Sequence, residues 1–270
     1  MNNLLFLINI LIYALANPKM GNQILQAKYQ SWQDSKYTKF DYSKNELTLI
    51  DSFKLFFPEN SYSIEDLKKV TEKLQNHTNN FFDKLKNETY PSKKKPYPLD
   101  YTLDNQSGLF LYILCKILKP KTVIETGVAY GQSSMYILQA LFENKMGTLY
   151  SIDSLFSPWQ SKEMIGSAIP SPLRKNWKLI FGSSSEKLEN TLSSLDSIDI
   201  FFHDSLHTYK NMQFEFNTAW PFIKKDGFLI SDDVSENNAF LDFYSIVNGS
   251  PILMTDNQDK EIFLGIIRKK

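Results

Sequence analysis

Val123-Ile124-Glu125-Thr126-Gly127-Val128-Ala129-Tyr130-Gly131 is the stretch whose reading decides the fold. It reads as a short strand, Thr122–Glu125, running into a glycine turn, with a helix beyond it through Leu141. Gly127 and Gly131 let the backbone turn tightly and come close to a ligand, and the following helix offers free N–H groups at its start. The spacing is not that of a dinucleotide binder, because Ala129 and Gln132 stand where glycines would be needed. No P-loop lysine is present either. The next strand, Leu149-Tyr150-Ser151-Ile152-Asp153, ends on a carboxylate that can accept hydrogen bonds from both hydroxyls of a ribose. Gly182-Ser183-Ser184 follows the third strand, where an adenine edge would pass.

Outward from this turn the pattern alternates. Leu109–Leu118 reads as an apolar helix, Thr148–Ile152, Trp177–Phe181, Ile198–Phe202 and Gly227–Ser231 as strands, and Ser184–Leu195, Thr208–Phe222 and Asn237–Ile246 as helices. Ile252–Thr255 and Ile262–Ile267 close the chain as two strands able to pair as a hairpin. Such alternation predicts an α/β fold, a mostly parallel sheet of seven strands with helices on both faces. Ligands bind such sheets at the carboxyl ends of the strands.

Two further polar clusters fall at those ends. One is Phe202-His203-Asp204-Ser205-Leu206-His207-Thr208-Tyr209, the other Ile230-Ser231-Asp232-Asp233-Val234. Adjacent parallel strands would set Asp204 beside Asp232 and Asp233. Three carboxylates in one cleft repel, so without a cation at least one should hold a proton. Oxygen ligands favour Mg²⁺, Mn²⁺ or Ca²⁺, and no thiolate is near. A bound metal would acidify a hydroxyl, and His207 could take its proton. The plainer readings are that Asp232-Asp233 cap a helix starting near Ser235, that His207 orients a loop, that His203 points the other way, and that His77 is a surface residue.

The order of these motifs resembles class I S-adenosylmethionine (SAM)-dependent methyltransferases, over about Leu99 to Phe243. Within them it most resembles the branch of macrocin-type sugar O-methyltransferases and cephalosporin-hydroxylase-like proteins. The resemblance implies a Rossmann-like sheet with a C-terminal antiparallel hairpin. It implies a SAM site made by Glu125, Gly127, Tyr130, Gly131, Ser133, Asp153 and Ser183, with the turn around the methionine part and Asp153 on the ribose. It implies a metal, Mg²⁺ first, on Asp204, Asp232 and Asp233, whose 28-residue gap from Asp204 to Asp232 is similar to the family's. Asp204 and His207 are then the catalytic pair, His207 standing where the family has its base. Ser205-Leu206 departs from the acidic-glycine pair common there and is similar to the hydroxylase-like side. The acceptor implied is a hydroxyl of a sugar, glycan precursor or glycosylated metabolite. A hydroxylase-like use of the metal, or a non-catalytic scaffold docking through its N-terminus, are the rival readings.

The remaining 95 N-terminal residues resemble no known family and read as a helical extension, with 96–270 as the methyltransferase domain. Ile64–Leu85 carries Leu67, Val70, Leu74, Phe81, Phe82 and Leu85 at helical spacing, with Ser63 as its cap. Pro91–Pro98 reads as a linker or turn. Leu155–Pro172, with Phe156, Pro158, Trp159 and Met164, reads as a lid over the acceptor. Leu4–Ala16 is apolar but shorter than the ~20 residues that cross a bilayer. It reads as a helix against a partner, the body or a membrane surface; Ala14-Leu15-Ala16 leaves a secretory signal as the alternative, although no Lys or Arg precedes it. A SAM enzyme needs a cytosolic cofactor, so a cytoplasmic location is expected, peripheral to a membrane if the helix docks there.

Composition agrees. Of 270 residues, 42% are hydrophobic, enough for a sizeable core. Lys+Arg and Asp+Glu balance at 30 each, which argues against a nucleic-acid partner. The basic runs Lys93–Lys95 and Arg268–Lys270 read as solvated surface. The single cysteine, Cys115, excludes an internal disulfide and reads as core. A homo-oligomer is compatible with all of this.

Overall fold

The computed structural model describes residues 3–35, 46–58, 64–99, 103, 105–255 and 262–270. The cap expected at Ser63 lies outside them. In chain order they form α1 (Asn3–Ala16), α2 (Pro18–Asp34), β1 (Glu46–Leu47), α3 (Leu49–Phe56), α4 (Ile64–Leu85), α5 (Asn105–Leu118), β2 (Thr122–Thr126), α6 (Gln132–Asn144) and β3 (Thr148–Asp153). Then follow β4 (Trp177–Phe181), α7 (Ser184–Ser193), β5 (Ile198–His203), α8 (Tyr209–Ala219), β6 (Ile223–Asp232), α9 (Ala239–Ile246), β7 (Gly249–Thr255) and β8 (Ile262–Lys269).

Among the described residues the strands form one sheet in the order β1-β7-β8-β6-β5-β2-β3-β4. The run from β4 through β3, β2 and β5 to β6 is parallel; β8 lies antiparallel between β6 and β7. The seven expected strands and the C-terminal hairpin are present, in the Rossmann-like methyltransferase arrangement. The eighth, β1, is two residues long and pairs parallel with β7. It was invisible in the sequence because two residues carry no period. The strand order reverses between β2 and β5, which opens a crevice at their carboxyl ends, the usual ligand position in such sheets.

The central strands are apolar on both sides, as a sheet covered on both faces requires. Because side chains alternate across a strand, neighbours separate. Val123, Phe202 and Ile230 enter one core with α3, α5 and α6, while Ile124, Phe201 and Leu229 enter the other with α7, α8 and α9. Burying each of these side chains contributes roughly 1.5–3 kcal/mol. Leu49, Phe53, Phe56 and Leu74 belong to the same core as Phe110 and Phe228. α3 and α4 therefore share the core of the sheet.

Three expectations shift. β6 begins at Ile223, four residues early, because Ile223 pairs with Ile198 before a bulge across the polar run Lys224–Asp226. α8 stops at Ala219 and finishes in a 3₁₀ turn, since Pro221 lacks the N–H to continue it. The basic runs are not simply solvated. Lys95 is buried, Arg268 Nη1 donates to the Phe56 carbonyl and Lys269 Nζ to the carbonyls of Trp220 and Ile223. Cys115 is buried, as expected.

Candidate active site

The glycine turn is held from two sides. Gly127 and Gly131 have φ of 84° and 91°, a region costly for other residues. A side chain on Gly127 would meet the Asp204 carbonyl oxygen at 1.8 Å, so the turn lies directly on the loop after β5. Asp153 Oδ2 accepts from the amides of Val128 (3.1 Å) and Ala129 (3.0 Å), and its Oδ1 from Ser154 (2.6 Å). Burial pushes this carboxyl up to about 6 against those three donors. Oδ1, with one amide donor against two on Oδ2, retains a lone pair for a ligand hydroxyl.

Glu125 does a different job from the one expected. It is fully buried beneath the turn, where Ser133, Ser134 and Ser151 each donate a hydroxyl to it at 2.6 Å. Burial raises its carboxyl to about 7 although those serines pull it down. Glu125 thus ties β2, β3 and α6 together and does not reach the cavity. Ser133 spends its hydroxyl on Glu125. Tyr130 turns its ring toward Phe81, Phe82 and Tyr97, donating its hydroxyl to the Tyr97 carbonyl at 3.0 Å. It joins the turn to α4 and the 91–98 segment. Gly131 is close-packed under Gly166 and Ile169, away from the cavity wall.

The loop after β5 is likewise pinned from below. Glu215 of α8 accepts from Thr126 Oγ1 (2.5 Å) and Ser205 Oγ (2.7 Å) and lies 2.6 Å from His203 Nδ1. Burial opposes its charge, but His203 and the hydroxyl donors win and hold it at about 2. His203 is fully buried and points away from the cavity, as read from the sequence. Glu215 was missed; its only signal was an acid on the apolar face of α8 beside Met212, Phe216 and Ala219.

Above this base the expected clusters meet. Asp204, His207, Asp232 and Asp233 line one cavity of about 980 Å³ with Gly127, Asp153 and Ser183. His207 Nδ1 stands 3.3 Å from Asp233 Oδ2 and its Nε2 3.9 Å from Asp204 Oδ1. Nε2 is buried without a hydrogen-bond partner. Burial, helped by His203, lowers His207 to about 3, so its imidazole is neutral. Asp204 is raised well above the carboxylate range by burial and by the charges of Asp232, Glu125, Asp233 and Asp153. This is the proton uptake that crowded carboxylates predict. Their oxygens suit a hard cation, and such a cation would relieve that crowding. Among the described residues, no group of three His, Cys, Asp or Glu is gathered closely enough to hold one. α9 is led in by Asn237, whose Oδ1 accepts from the Ala239 amide.

The roof was not foreseen. Gln23, Gln26 and Gln30 of α2 line the same cavity, with Ile24 and Ala27. Gln30 accepts from Thr208 Oγ1 (3.0 Å), Asp34 accepts from the Tyr209 amide (2.9 Å), and Lys19 pairs with Glu186. The segment after β3 contributes Phe156, Ser157, Trp159 and Gln160 to the wall, while Met164 packs with Tyr130. Its far end hangs from the glycine turn, Gly166 and Ala168 donating to the carbonyls of Ala129 and Tyr130. His77, although exposed, lies 2.9 Å from the Ala168 carbonyl and steadies that end.

Residues 124–234 match a family model described as a methyltransferase domain. No curated protein sequence matches the chain. Among solved structures, an O-methyltransferase from Bacillus cereus in complex with SAH is similar at 14% identity. The match covers 82% of this chain and 98% of that one, with a TM-score of 0.52. An SAH-bound methyltransferase from Podospora anserina is 16% identical over 86% and 97%, TM-score 0.51. The O-methyltransferase TomG from Streptomyces achromogenes, in complex with SAM, is 13% identical over 83% and 97%, TM-score 0.51. The chain therefore has the Rossmann-like fold of these methyltransferases, and its residues 124–234 are similar to a methyltransferase domain.

Proposed function

We propose that the protein is a SAM-dependent O-methyltransferase. One observation carries the reading: a single cavity joins Asp153 and the glycine turn to His207, whose buried Nε2 has no hydrogen-bond partner. The complexes of the Bacillus cereus, Podospora anserina and Streptomyces achromogenes proteins with SAH or SAM support the choice of cofactor. Asp153 accepts from the ribose, Ser183 lines the adenine side, and Gly127 lets the backbone approach the methionine part.

The chemistry follows from the residues. Asp233 orients the His207 ring, so that with the proton on Nδ1 the Nε2 lone pair is left to accept one. An acceptor hydroxyl gives its proton to Nε2 as its oxygen attacks the methyl carbon in line. The O–CH₃ bond forms, the S⁺–CH₃ bond breaks, and the sulfur keeps the electron pair; the products are a methyl ether and S-adenosylhomocysteine. Holding oxygen and carbon in near-attack geometry under α2 supplies much of the rate. A divalent cation does not fit Asp204, Asp232 and Asp233 as they stand, since these carboxylates are not gathered closely enough to hold one, and no step of the transfer runs through it. The acceptor class we favour is a sugar, glycan precursor or glycosylated metabolite, supported by the three glutamine amides of the roof, which suit a ligand rich in hydroxyls. Because SAM is made in the cytosol, the reading places the site on that side.

Calorimetric titration with S-adenosylhomocysteine, with and without Mg²⁺, tests it. Micromolar binding by the native chain that Asp153→Ala abolishes is expected. No heat under either condition overturns the methyltransferase reading.

A further inference from the structure

We propose that the α1–α2 hairpin docks on a lipid surface, lying along it with the outer faces of both helices. On α2 the polar Gln23, Gln26 and Gln30 face the cavity, while Leu25, Tyr29 and Trp32 face outward at i, i+4 and i+7. On α1, Ile8, Leu11, Ile12 and Leu15 are exposed, a helical stripe at i, i+3, i+4 and i+7, with Leu11 61% and Leu15 73% exposed. A helix lying on a protein in water turns its apolar stripe inward and its charges outward. On this hairpin a second apolar stripe is turned outward, in addition to Ile10, Ile24 and Ala27 on the cavity side. Seven of the fourteen large apolar side chains exposed among the described residues fall within Ile8–Trp32. A patch of that density marks an interaction surface.

Charge selects the occupant. The first 33 residues hold Lys19 and Lys28 and no Asp or Glu, in a chain whose acids and bases otherwise balance. No acidic side chain of that stretch repels an anionic headgroup. Tyr29 and Trp32 pack against each other at 5.9 Å on the outer face, and such amphipathic rings favour the headgroup boundary. Geometry selects the mode. The 14 residues of α1 span ~21 Å, short of the ~30 Å hydrocarbon layer. No helix of the described residues is long and apolar enough to cross a membrane. The hairpin lies in the interface and does not span it. The inference is independent of methyl transfer, since it rests only on the outer face of the roof.

Co-sedimentation of the full chain with vesicles of phosphatidylcholine, with and without phosphatidylserine, tests it. Binding to the serine-lipid vesicles is expected, lowered about tenfold or more by Leu11→Glu with Leu15→Glu at an unchanged melting temperature. Leu25→Gln, on the other helix, should lower it in the same direction and stands in if the double variant fails to fold. The proposal is overturned if the native chain stays in the supernatant with both vesicles, or if the folded variants sediment as the native chain does. It is equally overturned if sedimentation equilibrium shows a dimer that Leu11→Glu dissociates while no vesicle is bound, which would give the face to a second copy.

Discussion

Asp153 and His207 each show how one side chain's surroundings set its task. Asp153 is anchored by backbone amides of the turn it would share with a nucleoside, and so holds its carboxylate fixed before any ligand arrives. His207 is kept neutral by burial and oriented by Asp233. Removing it with His207→Ala should lower kcat by about 10²–10⁴-fold while leaving the affinity for S-adenosylhomocysteine unchanged, as measured by steady-state kinetics beside calorimetry. Gly127→Ala is a harsher change. Its φ of 84° costs an L-residue about 1–2 kcal/mol, and the new methyl overlaps the Asp204 carbonyl. Urea denaturation should show a loss of about 2 kcal/mol or more, and an unchanged midpoint would mean that the close approach of turn and loop is wrong.

At the scale of elements, the site is a sandwich of one rigid layer and one fastened layer. The rigid layer is the sheet edge, where Glu125 and Glu215 lock β2, β3, β5, α6 and α8 from beneath. The fastened layer is α2, held to the body near α8 by Gln30 and Asp34 and near α7 by Lys19. Two partly exposed hydrogen bonds of about 0.5–1.5 kcal/mol each are a weak latch. Gln30→Ala with Asp34→Ala should therefore speed limited proteolysis within residues 1–35 about tenfold, with the melting temperature of the remainder preserved. Proteolysis at the native rate would show that α2 is held by something other than these contacts.

Across the whole molecule the two buried glutamates oppose each other in pH. Glu125 is raised from 4.5 to about 7 by burial, so the stability it contributes is whole below pH 4.5 and lost as pH rises through 7. Asp153, raised to about 6, acts in the same direction over a lower window. Glu215 is lowered to about 2, so its contribution is present above pH 4.5 and lost as pH falls through 2. Melting temperature against pH should fall from pH 4.5 to 7 less steeply in Glu125→Gln than in the native chain. Parallel slopes would mean that Glu125 is already ionised where it lies.

What could be read along the chain was whatever the sheet's period and the positions after its strands dictate. The alternation of strand and helix, the glycine turn, and the fall of Asp153, Asp204, His207 and Asp232-Asp233 at strand ends are local facts, because a parallel sheet places the residue after each strand at one edge. Which polar atoms face the cavity is not local. Glu125 ends the strand before the turn, yet hydroxyls from α6 and β3 hold its carboxylate out of the cavity, while Tyr130 and Ser133 line that cavity with their hydroxyls spent on the Tyr97 carbonyl and on Glu125. Glu215, 89 residues from its partner Thr126, becomes the base of the site only when α8 packs on β5. α2 becomes its roof only when Thr208 and Tyr209 meet a helix about 175 residues earlier. Periodicity records the face a segment buries; the hydrogen bonds that close a site are made between segments, and only the folded chain decides them.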